Sequence, residues 1–421
     1  MRTIISTAML VGVLVAPARG VDCPGDCDGN GQVTVDEIIV AVSIALGEAE
    51  LGDCLAADSG GDGNVTVDEL VMAVDAALNG CGDQTTAFVV ATDFETGSFG
   101  TVSFDDPPAI TPVSQQRILN GDAVGRAFNG LVYVVNRFFG DNIQIIDPAQ
   151  DFATTRQCLT GERSNPQDIA FVNTDKAYVS LAGGTEVLVV DPSPSVGCDD
   201  FILDRIDLAD LADADGNPEL YLMAVVGTRL YVEVQKLDQN NFFTPADKGS
   251  LAVIDTKTDE LVDEIVLTGQ NPFGQTKGIT VRNGALLVSQ VGLFGSNDGG
   301  IERVDTTSGI PEGFFISEAE LGADILDFEM VSDNSGYALL SLSDFTNSVV
   351  AFDVQQGAAT ATLISGESVS DIALNDRGQL FVAQRTLQRP GVRIFDTTDN
   401  SEVTTAPLNL ELPPFDITFI R

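Results

Sequence analysis

Asp26, Asp28 and Asn30 occupy alternate positions, Gly31 follows, and Glu37 closes the run. That spacing arranges oxygen donors around a hard divalent cation. Calcium takes roughly six to eight oxygens, alternate loop residues point inward, glycine makes the sharp turn, and the last carboxylate chelates with both oxygens. Gln32 would add its backbone carbonyl, and Thr34 a hydroxyl or a bridging water. The pattern returns 32 residues later, from Asp26 to Asp58, with Asp58, Asp62, Gly63, the Asn64 carbonyl, Thr66 and Glu69. Gly60 stands where a third inward ligand belongs, so the second site is expected to be the weaker and to use water in the gap.

Other chemistries are excluded by composition. The chain has no histidine and no tryptophan, so Ser-His-Asp and Cys-His catalysis, histidine-held metals and a stacked-indole quinone site are ruled out. Six cysteines, an even number, point to disulfides rather than thiol chemistry in an exported chain. Cys23 and Cys81 bracket the small N-terminal module, and bridging them would leave Cys27 with Cys54. Four cysteines allow three connectivities, and spacing alone does not choose. Cys158 and Cys198 are expected to pair in the larger remainder.

The elements that must position the acidic loops follow directly. Ile38, Ile39, Val42 and Leu46 fall at helical spacing after the first loop, and Leu70, Val71, Val74 and Leu78 after the second. These stripes are expected to pack the two helices together. No helix enters the first loop, because Cys23-Pro24 precedes it. A loop with only an exiting helix, duplicated in tandem, resembles the dockerin type I domain. The resemblance implies a small all-α, duplicated half-EF-hand module over residues 21–83, Ca2+ as cofactor, and a cohesin-like scaffold domain as partner.

Residues 1–20 carry Arg2, an apolar run from Ile4 to Ala16 and then Ala16-Pro17-Ala18, the pattern of a cleaved export signal. The run is too short for a membrane span. The expected location is secreted, cell-surface or periplasmic. A formal charge of −42 repels nucleic acid and anionic lipid and attracts cations.

From residue 84 onward short β-rich runs and glycine turns replace the helical pattern. A hydrophobic pair followed by aspartate recurs at Asp105, Asp147, Asp191, Asp255, Asp305, Asp353 and Asp396, at spacings of 42 to 64 residues. This is the period of four-stranded propeller blades, and seven aspartates predict seven blades. Each is expected to accept backbone N–H groups of the following turn. A second phrase opens blades: NPQDIAFV at Asn165, SVSDIALN at Ser368, PPFDITFI at Pro413 and a looser DFEMV at Asp327. The last full phrase ends at the C-terminus while the strands from Ala87 lack an opener. Pairing Phe415–Ile420 with them would close the ring and abolish the sheet edges. The stretch GSLAVIDTKTDELVDEIVLTGQNP at Gly249 looks like the repeat of YVTN-type propellers, which implies the fold of residues 84–421 more than an activity.

In such a fold the loops joining the second and third strands of every blade share one face with the openers. Asp168, Asp327, Asp371 and Asp416 are expected to surround the central channel there, either bonding blade to blade or holding a cation. The loops NRFFGDN, DQNNFFTPADKG, LFGSNDGG, SDFTN and TDFETGSF place phenylalanine beside short polar residues. Aromatic faces with orienting polar groups suit glycan or protein ligands. The expected ligand face centres on Phe138, Phe139, Phe242, Phe243, Phe294 and Phe345. The expected function is non-catalytic binding or adhesion. The alternatives are a calcium- and carboxylate-dependent, lactonase-like enzyme and a polysaccharide-related component of a cellulosome-type assembly.

Overall fold

The computed structural model describes residues 24–27, 33–58, 63–79, 85–111 and 118–420, and the chain divides into two compact units, Met1–Gly82 and Asp83–Arg421. The export signal, Asp28, Asn30, Gln32, Asp62, Cys23 and Cys81 lie outside the described residues.

In the first unit, helix α1 (Val35–Ala45) and helix α2 (Val67–Asn79) each follow an acidic loop, with two short 3-10 turns between them. Ala41 and Ala73 are fully buried, and Cys54, Ala57 and Val65 complete a small core. Cys27 and Cys54 form a disulfide. The expected packing of aliphatic stripes is corrected here. Ile38 and Leu70 are partly buried, but Ile39, Val42, Leu46, Val71 and Val74 are exposed. Ala41, Ala73, Glu37 and Glu69 take the buried positions instead, because small side chains suit so small a core.

The second unit is a seven-bladed β-propeller. Blade 1 runs Ala123–Phe128, Leu131–Asn136, Asn142–Asp147 and Ala153–Leu159, blade 2 Pro166–Asn173 to Ile202–Asp207, and blade 3 Leu220–Val226 to Glu260–Val266. Blade 4 runs Ile279–Arg282 to Ile310–Ser317, and blade 5 Asp324–Met330 to Ala358–Glu367. Blade 6 has three regular strands, Val369–Leu374, Gln379–Gln384 and Gly391–Asp396, and an irregular outer edge in which Val392 meets Leu408. Blade 7 is closed from both ends of the chain, since Pro414–Ile420 pairs with Thr86–Thr92 in the register Val89 to Ile417.

Period-two alternation explains how blades stack. Along the second strand of blade 1, Tyr133 and Val135 join the core shared with blade 2, while Val132 and Val134 join the core shared with blade 7. Both faces of the two middle strands are therefore apolar, and the outer strands turn charged, as in Glu260–Val266. Six of the seven repeated aspartates cap the third strands as expected. Asp147 accepts from Ala149 N, Asp191 from Ser193 N, Asp255 from Lys257 N, Asp305 from Thr307 N, Asp353 from Gln356 N and Asp396 from Thr398 N. A second disulfide, Cys158–Cys198, ties the outer strand of blade 1 to the loop before the outer strand of blade 2. Among the described residues no helix is long and apolar enough to cross a membrane.

Candidate functional site

The two acidic loops end in the same way. Thr34 donates through N and Oγ1 to Glu37 Oε2 at 2.8 and 2.9 Å, and Thr66 does the same to Glu69 Oε2 at 2.8 and 2.9 Å. Each glutamate thus closes the first turn of its helix as a capping box. Glu37 Oε1 also accepts from Cys27 N at 2.9 Å, and Asp58 Oδ2 accepts from Gly63 N at 2.8 Å across the second loop. That last bond folds the first carboxylate of the loop over its turn glycine, which has φ +90°. Asp26 and Asn64 are in the described part, and no three Asp, Glu, Cys or His side chains among the described residues converge as metal ligands.

In the propeller channel the four opening aspartates are buried, and of the two roles expected for them they take up bonding from blade to blade. Inner strands of neighbouring blades splay apart and leave N–H groups without sheet partners, and the aspartates supply the acceptors. Asp168 Oδ2 accepts from Met223 N of blade 3, Asp371 Oδ2 from Ile417 N of blade 7, and Asp416 Oδ2 from Gly125 N of blade 1. Asp327 accepts from Phe328 N and from Thr276 Oγ1, and Thr276 also donates to Asp371 Oδ1 at 2.6 Å.

Two cations neutralise the group. Arg126 Nε binds Asp168 at 2.8 Å and reaches across the channel to the Thr276 carbonyl, while Lys277 Nζ lies 3.7 Å from Asp371 and 3.8 Å from Glu329. Asp327 and Asp371 thus meet at one Thr276 hydroxyl, which has a single hydrogen to donate. Burial first, and Asp371 second, hold the Asp327 carboxyl well above the usual range. Burial also pushes Asp416 to about 6 and Glu329 to about 7. The site is therefore a packed electrostatic hub and not an open cation pore.

Glu233, on the second strand of blade 3, is fully buried, and neither carboxylate oxygen has a hydrogen bond of good geometry. Desolvation pushes its pKa well above the ordinary value.

The exposed feature lies at the loops joining second and third strands. Phe138, Phe139, Phe242, Phe243, Phe294 and Phe345 are all exposed, with Phe242 at 94% and Phe345 at 95%. Phe94 in blade 7 and Leu387 in blade 6 extend the series, so every blade but the second presents a large apolar side chain on this face. Phe94, Phe139, Phe242, Phe243 and Phe345 have φ between 56° and 69°, the left-handed region that bulky residues rarely enter. Each such residue costs about 1–2 kcal/mol. Side chains that solvate poorly are thus held outward at the expense of backbone strain.

Towards the channel mouth the face becomes aromatic and cationic. The Arg385 guanidinium sits 4.6 Å from the Phe94 ring and 5.6 Å from Phe415, and Arg137 lies 5.6 Å from the other approach to Phe415. Opposite them Tyr221 stacks on Phe273, whose edge meets Phe294. Sequence reasoning missed the two arginines, which carry no motif. Leu387 lacks the aromatic signal that marks the other loops in the sequence. A further acidic run, Asp213, Asp215, Asn217 and Glu219, repeats the alternate spacing of the N-terminal loops, and burial lifts Glu219 to about 7.

No family model matches the sequence, and no curated protein matches it. Among solved structures, a protein from Lactobacillus plantarum superposes with a TM-score of 0.55 at 12% identity, over 80% of this chain and 100% of its own. Dihydro-heme d1 dehydrogenase NirN, solved in complex with DHE, gives a TM-score of 0.50 at 12% identity, over 80% and 75%. Likeness at these identities shows the fold alone.

Proposed function

We propose that this is an exported binding protein whose propeller face takes an extracellular glycan or protein ligand, and whose N-terminal module binds calcium and tethers or stabilises the head. The observation that carries the reading is the set of five phenylalanines held outward in left-handed backbone on one face. Strain of that kind persists where a binding surface requires the side chain and the scaffold enforces it. The haem chemistry named for one fold neighbour finds no histidine ligand here, and the described cysteines Cys27, Cys54, Cys158 and Cys198 are disulfide-bonded. The carboxylates that a lactonase-like reading would use at the channel are committed to Arg126, Lys277, Thr276 and backbone N–H groups.

Calcium fits the first unit through Asp26, Asp28, Asn30, Gln32, Thr34 and Glu37, and through Asp58, Asp62, Asn64, Thr66 and Glu69. Bound there, it would replace the internal donors of Glu37 and Glu69 with a charge the loops already surround. The tethering role is supported by a duplicated exposed stripe. Val35, Ile39 and Val42 on α1 recur 32 residues later as Val67, Val71 and Val74 on α2, all exposed. A cohesin-like scaffold domain is the partner that the dockerin-like pattern implies for such a surface.

The test is retention of the full chain on insoluble extracellular polysaccharide and on immobilised extracellular protein, with and without chelator. Loss of retention in Phe242→Ala/Phe243→Ala supports the propeller face. Retention that depends on calcium but not on these phenylalanines assigns binding to the N-terminal module instead.

A further inference from the structure

On blade 1, beside Phe139, the chain forms a cleft of ≈ 560 Å³ in which no lining residue among those described is charged, although the chain carries 63 acids. Its polar side chains are five amides, Asn120, Asn136, Asn142, Gln144 and Gln157, and the Thr154 hydroxyl. Asn136 is fully buried and saturated. Its Nδ2 donates to Asn142 Oδ1 at 2.8 Å and to Gln144 Oε1 at 3.2 Å, and its Oδ1 accepts from Asn120 N at 2.9 Å. These bonds fix which end of each neighbouring amide is oxygen and which is nitrogen. Gln144 Nε2 is spent on the Ile118 carbonyl and Thr154 Oγ1, and Asn142 Nδ2 donates to the Gly140 carbonyl at 2.6 Å.

The capacity left open stands at the rim. Asn120 Oδ1 accepts from Asp122 N, and its Nδ2 has no acceptor among the described residues, while Gln157 donates once to Asn142 Oδ1, which leaves its Oε1 and one hydrogen without a partner among them. Gly140 permits the arrangement, because a Cβ there would lie 2.8 Å from the Asn136 carbonyl oxygen. The cleft thus offers alternating neutral donors and acceptors above an oriented amide floor, with the exposed Phe139 ring at its edge. Hydroxyls of a neutral sugar both donate and accept at this spacing, and the C–H face of a pyranose covers an aromatic ring. An ionic ligand would find no counter-charge here.

We propose that this cleft is a subsite for a neutral saccharide unit, a narrowing that rests on the propeller-face reading and names its ligand class. The probes are neutral hexasaccharides of β-glucose, β-xylose and β-mannose, with an acidic galacturonate oligomer as comparison, titrated calorimetrically into the full calcium-loaded chain. At least one neutral probe binds, and the acidic oligomer does not. Asn120→Ala and Gln157→Ala, both at partly or fully exposed positions, each weaken that binding about tenfold, the worth of one or two hydrogen bonds, with an unchanged melting temperature. Binding weakened by Phe242→Ala/Phe243→Ala but untouched by the amide variants would overturn the cleft and leave the aromatic face standing. Failure of the unmodified chain to bind any neutral probe would also overturn the cleft, and protein retention on the Phe242 loop would then decide the wider reading separately.

Discussion

Single residues in the propeller hold free energy that specific replacements should release. Glu233 is buried without a well-formed hydrogen bond, and methionine has nearly its length without its desolvation cost. Glu233→Met is expected to raise unfolding free energy by about 1–3 kcal/mol, read as a higher denaturant midpoint at constant slope. Phe345 is 95% exposed at φ 63°, so Phe345→Gly removes strain without opening a cavity and should leave stability equal or higher by about 1 kcal/mol. The buried carboxyls set a pH dependence. Burial raises Asp416 to about 6, Glu219 and Glu329 to about 7, and Glu318 to about 8. Each folded-state pKa lies above its unfolded value, so the folded chain binds more protons between the two, and stability falls as pH rises from about 4 through about 8. Denaturation at about pH 5 should therefore require more urea than at about pH 8.5, and Glu329→Gln should flatten the slope around neutrality.

At the scale of elements, the Cys158–Cys198 bridge closes a loop of sequence separation 40 between two blades. Its removal by Cys158→Ser/Cys198→Ser should cost about 4 kcal/mol of unfolded-state entropy, visible as a lower melting temperature. Calcium titration of the full chain should resolve a tighter and a weaker site, with Glu37→Gln removing the tighter and Gly60→Asp strengthening the weaker. Much of the element order was legible in sequence. The third-strand aspartates marked all seven blades, because an Asx turn leaves a short polar signature after an apolar strand. The ring closure was legible because one opener lacked a blade and one blade lacked an opener. The helix contact was not legible, since apolar periodicity reports a stripe but not whether that stripe meets its own chain. Ala41 and Ala73 took the buried position, and Ile39 and Val71 were left outside. Nor were Arg126 and Lys277 legible. They stand in the innermost segments of blades 1 and 4, two of the three blades without an opening aspartate, and only the closed ring brings them to Asp168, Asp416 and Asp371.

For the whole molecule, the charge of −42 and the outward phenylalanines divide the surface into two kinds of information. A surface of that charge repels nucleic acid and anionic lipid, and the aromatic face is the exception to it. A buried hub of paired carboxyls and two cations holds the blades at fixed angles, so the loops present their side chains from a rigid base. Specificity on such a base comes from a few anchors and not from the whole rim. Those anchors are expected to be the strained phenylalanines. The test is the affinity of the full chain for one ligand-bearing surface, compared with that of Phe242→Ala/Phe243→Ala/Phe345→Ala, alongside the melting temperature of each. An affinity lower by about thirtyfold or more is expected, as for lost aromatic anchors, with the melting temperature unchanged or higher. An affinity equal to that of the unmodified chain, at equal stability, would contradict it.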